Sequence, residues 1–93
     1  MSDGLAAFYA ARLDEDATLA AVAAKYDARF DPARVLREVE AGRAILARYA
    51  EVQSWPYPPA DGDDAIRDEL DLILRIKAAV HDSHPDYDEA WKP

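Results

Sequence analysis

Proline placement constrains this chain more than any other feature. Pro56, Pro58 and Pro59 fall within four positions, a density that excludes helix and favours polyproline II. Phe30-Asp31-Pro32 is a second break, because proline fixes its own φ and moves the preceding residue out of the α region. Asp31 is then placed to cap a new helix, and Pro32 to take its first position, where no amide hydrogen is missed. A further helix restarts in the cluster Asp61, Asp63 and Asp64, whose carboxylates meet the positive end of the macrodipole. Pro85 stops the chain again. The predicted elements are three helices near 3–29, 32–53 and 63–82, an aromatic-proline loop over 54–62 and a tail over 83–93. The fold class that follows is all-α: one domain over 1–93, an antiparallel three-helix bundle with an ordered aromatic C-terminal tail.

Helical periodicity supports these spans. The second helix gathers Val35, Val39, Gly42, Leu46, Tyr49 and Ala50 on one side, with Arg37, Glu40, Arg48 and Glu51 opposite. Gly42 sits in that apolar stripe, where the missing Cβ lets a neighbouring helix approach closely. On the first helix Leu5, Phe8, Tyr9, Leu13, Leu19, Ala20, Ala23, Tyr26 and Phe30 cover a broad sector into which Arg12 and Asp16 also project. The third helix is broader still: Ile66, Leu70, Ile73 and Leu74 make one stripe, and Leu72, Ile76 and Ala79 an adjoining one. An arc that wide means a helix lying between both others, packing on a second copy, or doing both.

Composition narrows the function classes. The 93 residues carry 11 Lys and Arg against 19 Asp and Glu, a net charge of −8, which argues against direct contact with a phosphate backbone. There is no cysteine; disulfides, thiolate metal sites and a cysteine nucleophile are excluded together, and a reducing, cytoplasmic setting fits. No apolar run approaches the ~20 residues of a membrane span, and no secretory signal pattern opens the chain. Ser2, Ser54 and Ser83 lie in a terminus, a loop and a helix end, outside any nucleophile-elbow pattern. The expectation is therefore a protein that is not an enzyme and holds no cofactor.

Three segments, ARLDED at 11–16, DPARVLREVEA at 31–41 and HPDYDEAW at 84–91, occur in this order in a family of small actinobacterial and phage proteins known only as a domain of unknown function. The chain resembles that family at both ends and in the middle. The resemblance implies a shared fold and a bacterial or phage origin, and it implies no activity. Many members of the family place a tryptophan-rich, proline-containing segment after the first helix, whereas Ala20 to Ala28 reads here as uninterrupted helix.

The residues with chemistry to offer fall into three groups. Arg12 has Glu15 and Asp16 three and four positions on, within reach of the guanidinium on one helical face; the cluster is either an anion or partner site, or an ion pair at the rim of the core. His81 and His84, with Asp82 and Asp86 beside them, offer donors for a divalent metal, although Pro85 disturbs the geometry. The plainer role for His84 is to cap the third helix or bond the tail backbone. Tyr87 and Trp91, four apart, are placed to dock large rings on the bundle as a latch, with Asp86 positioned to help cap that turn. Trp55 and Tyr57, in the loop SWPYPP, either engage a proline-recognising groove or fold back over the helix ends.

The expected function is that of a non-catalytic, acidic helical interaction, adaptor or regulatory protein. It contacts a protein partner, no nucleic acid and no membrane, and pairs with a second copy through the first or third helix. Its contact residues would be Arg12, Glu15, Asp16, Trp55, Tyr57, His84, Tyr87 and Trp91. Two other classes compete: an acidic nucleic-acid mimic that binds a basic protein, and a small domain that holds a metal or ligand through His81 and His84.

Overall fold

Asp31 accepts a hydrogen bond from the Arg34 amide at 3.1 Å and Pro32 opens the helix behind it, as the proline step dictates. A computed structural model gives the architecture and describes residues 4–23, 25, 26, 29, 31–56 and 61–93. Its helices are α1 (Leu5–Ala23), α2 (Pro32–Gln53) and α3 (Asp63–Ala79), followed by one turn of 3₁₀ helix at Glu89–Trp91. No strand occurs among the described residues. Each helix touches the other two, and α1 with α2 forms the longest interface. Along that interface Tyr9 and Leu13 lie over Gly42, while Asp16 shares a cleft with Val35, so the two helices run antiparallel. From α2 to α3 the direction reverses again: Glu38 and Val39 lie near Lys77 and Val80, whereas Val52 and Trp55 lie near Arg67. The bundle is antiparallel at each step.

Different devices end and begin the helices. At the end of α2 the Ser54 amide bonds the carbonyls of Ala50 and Glu51, and its hydroxyl also bonds that of Glu51. Arg67 reaches from α3 to the carbonyls of Val52 and Trp55 at 3.4 and 3.1 Å, so a cation stands at the negative end of the α2 dipole. Gly62 precedes α3 at φ +88°, with open space where a Cβ would stand; its conformation, not crowding, requires glycine there. Asp63 and Asp64 in the first turn and Lys77 in the last both oppose the α3 dipole.

The core is formed by Leu5, Phe8, Tyr9 and Leu13 of α1, Val39 of α2, Leu74 and Ala78 of α3, and Tyr87 and Trp91 of the tail. Three expectations need correction. The first helix ends at Ala23, not near 29, and continues as turns closed by Lys25→Val22 and Tyr26→Ala23 backbone bonds. Leu19 and Tyr26 of the expected stripe are 63% and 84% exposed; with neither α2 nor α3 covering that face, local propensity alone does not extend the helix. Phe30 lies outside the described residues. The third helix ends at Ala79, and residues 80–83 form turns. Its wide arc is covered only in part: α3 contacts both α1 and α2, with Leu74 and Ala78 buried, while Ile66, Leu72, Ile73 and Ile76 stay exposed.

Candidate functional site

Residues 5, 8 and 12 of α1 follow one another at spacings that align them on one side of a helix, and all three are buried. The C-terminal tail lies against that line. Phe8 is its centre: the Trp91, His84 and Tyr87 rings have centroids 5.2, 5.6 and 5.8 Å from it, and His81 lies at 6.4 Å. Tyr87 and Trp91 meet each other edge to face at 5.7 Å. These are the spacings at which ring quadrupoles add to the gain from burial. Both tail rings are buried, so the pair is a latch that offers little surface to another molecule.

The cap of that latch differs from the expectation. Asp88, not Asp86, accepts from the Ala90 amide at 2.9 Å, because the turn opens at Glu89 and the residue before it holds the capping position. Asp86 instead donates its backbone N–H to Nδ1 of His84 at 3.0 Å, the bond to the tail backbone foreseen for that histidine.

Arg12 is only 7% exposed. Its guanidinium lies 4.9 Å from the Phe8 ring centroid, donates to Nε2 of His84, and bridges to Glu15 Oε1 at 3.0 Å. A half-exposed carboxylate, an imidazole and a ring face together compensate a charge that burial would otherwise disfavour. Arg12 Nε and the Tyr87 hydroxyl have no hydrogen-bond partner among the described residues. A neutral imidazole has one lone pair, so each tautomer of His84 accepts from one of two donors, Arg12 at Nε2 or the Asp86 N–H at Nδ1, and in either case that lone pair is taken. Among the described residues no group of three or more His, Asp or Glu side chains is disposed to hold a metal ion.

Asp16 does not join Arg12. It faces a cleft of about 300 Å³ between the three helices, where Asp16, Glu38, Lys77 and His81 ring an apolar floor that includes Leu13 and Val39. Tyr9 borders the same cleft, and burial, then the Asp16 charge, raises its hydroxyl pKa above the ordinary 10.0. The three-residue cluster read from the sequence is thus split, Glu15 toward the tail and Asp16 toward α2 and α3.

Trp55 is half-buried with the Arg48 guanidinium 5.3 Å from its ring, and its carbonyl accepts from Arg67. It folds back over the helix ends. Tyr57 lies outside the described residues. Phe8, Arg48 and Arg67 were not singled out from the sequence. Phe8 has a signal in retrospect, its i, i+4 relation to Arg12; the two arginines carry none, because their targets are carbonyls and a ring brought together by the fold.

The outward faces differ from this interior. Two of the three acids of α2 pair with arginines of the same helix, Arg34 with Glu38 and Arg48 with Glu51, and Arg43 reaches across to Asp14 of α1. Acids tied up this way do not form a phosphate-like run. On α1, Leu19, Val22 and the following Tyr26 project into solvent, and Asp14, Glu15 and Thr18 border a shallow depression beside Leu19. No helix among the described residues is long and apolar enough to cross a membrane.

No curated protein and no solved structure matches the chain. A family model described as a family of unknown function, DUF6221, matches residues 2–93, and the chain belongs to that family.

Proposed function

We propose that this protein is a non-catalytic interaction module, working in the cytoplasm of an actinobacterium or its phage, that receives a basic, amphipathic segment of a partner protein. The observation that carries the reading is the exposed strip Leu19, Val22 and Tyr26, bordered by Asp14 and Glu15. Apolar side chains spaced at helical intervals and left uncovered are the usual mark of a contact face. The net charge of −8 steers cationic surfaces toward it. Arg12, His84, Tyr87 and Trp91 lie outside this contact strip, since their chemistry is occupied within the protein. Glu15 and Trp55 remain partly open to contact. The origin rests on the resemblance carried by ARLDED, DPARVLREVEA and HPDYDEAW.

The test compares two baits in lysate of the source cells, wild type and the L19E/V22E double variant, at low and high salt, with circular dichroism showing both folded. A basic protein held by wild type, released by salt and lost from the variant supports the proposal. Identical captures by both baits sink it.

A further inference from the structure

The outer face of α3 is apolar, uncovered and symmetric about one residue. Ile66, Leu72 and Ile73 are exposed, Ile76 is 53% exposed and Val80 78%. In sequence, Ile73 lies midway between Ile66 and Val80, and midway between Glu69 and Lys77. At ~100° per residue, these five positions fall within about 40° of the Ile73 direction, arranged evenly on either side of it. Leu70 and Ile76, also equidistant from Ile73, flank the strip.

We infer that this face pairs with the same face of a second copy, antiparallel, about a two-fold axis at Ile73. A two-fold interface requires that residue i meet j while j meets i, and this strip satisfies the condition with matching chemistry at every level. Ile73 meets its own copy on the axis. Ile66 lies level with Val80 of the second copy, so the ends of the strip are apolar on apolar. Glu69 lies level with Lys77 across the seam, twice, placing opposite charges where a chance register would have no reason to. Neither Glu69 nor Lys77 has an ion-pair partner among the described residues; Lys77 stands at the edge of the strip, where it also borders the cleft that holds Asp16 and Glu38.

The shape of the protomer points the same way. Its radius of gyration is 15.4 Å and its extents are 52 × 25 × 15 Å, whereas a compact chain of this length has a radius near 12 Å. The other two helices cover one side of α3 and leave its outer side to solvent. A second copy would cover that side. The seam spans about 21 Å of helix and buries less than the ~800 Å² per partner of a standard interface, so association is expected in the micromolar range. The strip on α1 proposed for the basic partner is a separate surface, and either assignment can fail alone.

Sedimentation equilibrium from about 1 to 500 μM, around the expected constant, tests the inference on the full chain. Wild type should pass from monomer to dimer across that range. Ile73→Lys, which sets two cations together on the axis, should leave only monomer, with circular dichroism reporting an unchanged helix content. Glu69→Lys and Lys77→Glu alone should each weaken the dimer about tenfold, since each creates two like-charge pairs, and the double swap E69K/K77E should restore it. Because the chain has no cysteine, Ile73→Cys gives an independent reading: mild oxidation should yield a disulfide-linked dimer, and the exposed α2 variant Ala41→Cys should not. A wild type that stays monomeric throughout, a dimer indifferent to Ile73→Lys, or a double swap that fails to restore pairing would overturn it and hand the face to a different protein.

Discussion

Arg12 and His84, separated by 72 positions in the chain, are joined by a guanidinium-to-imidazole hydrogen bond. Through it a side chain of α1 holds the first residue of the aromatic tail in the tautomer that accepts at Nε2, whereas the tautomer that accepts at Nδ1 bonds the Asp86 N–H instead. The latch is therefore fastened at two levels: polar at His84, apolar at Tyr87 and Trp91, with Phe8 in contact with both. This division explains why the chain keeps a charge in a nearly dry place. Ring packing alone has many acceptable orientations, whereas a directional polar contact selects one.

Arg12→Ala is expected to destabilise by about 2–3 kcal/mol, because it opens space beside Phe8 and leaves His84 Nε2 without a partner. Arg12→Met keeps the volume and removes the charge. It should cost clearly less than Arg12→Ala, since apolar replacement of a buried charge that has partners is often near neutral. Urea denaturation of the two variants separates packing from polarity; equal losses would assign the whole effect to the polar contact.

Trp91→Ala removes the larger latch ring and should cost about 3–5 kcal/mol, a large share of the stability of so small a domain. At ~4–8 °C per kcal/mol for this size, Tm should fall by more than 10 °C. Deleting residues 84–93 should do at least as much. A thermal melt that is unchanged by the deletion would mean that the tail does not hold the bundle.

Gly42→Ala sets helix propensity against space. Alanine gains ~1 kcal/mol of intrinsic propensity, but its Cβ would stand 2.7 Å from the Tyr9 hydroxyl and 2.9 Å from both Leu13 methyls. The methyls can move aside, while the phenol is held by its ring, so overpacking of about 1–3 kcal/mol wins and the variant should be less stable than wild type. In a Tyr9→Phe background the nearest clash disappears, and the same substitution should cost less. A double-mutant cycle measures that difference.

The close approach at Gly42 was legible from the sequence because a lone glycine in an apolar stripe leaves a notch that a packed interior must fill from a neighbouring helix. The proline steps were legible too, since they act through backbone geometry that no tertiary contact overrides, and α2 begins and ends where they place it. The end of α1 was not. Alanine-rich sequence through residue 28 satisfies helical propensity, and whether the helix continues depends on a neighbour that the exposed Leu19, Val22 and Tyr26 lack. The partition of Arg12, Glu15 and Asp16 was hidden for a related reason. Spacings of three and four permit both ion pairs, and only the position of the tail on one side and of α2 on the other decides that Glu15 is taken and Asp16 turned away. The Asp88 cap fell two positions beyond the expected Asp86, because the start of a three-residue helix depends on where the preceding chain lies, which periodicity does not report.

Alkaline pH should unfold this protein through its tyrosines. Burial, then the Asp16 charge, raises the Tyr9 hydroxyl above its ordinary 10.0. Tyr49 is raised by burial, then by Asp71, with Arg75 acting in the opposite sense. A pKa that is higher in the folded state than in the unfolded one means that the folded protein holds its proton more tightly. The associated stability is fully present below pH 10.0, the unfolded value, and is lost as pH rises through the folded values above it. Denaturant titrations should thus show a decline that begins near pH 10, accompanied by the near-ultraviolet absorbance of tyrosinate. Tyr9→Phe and Tyr49→Phe should each flatten the decline, and the double variant should flatten it further. A stability that ignores pH in this window would show that neither phenol is desolvated by the fold.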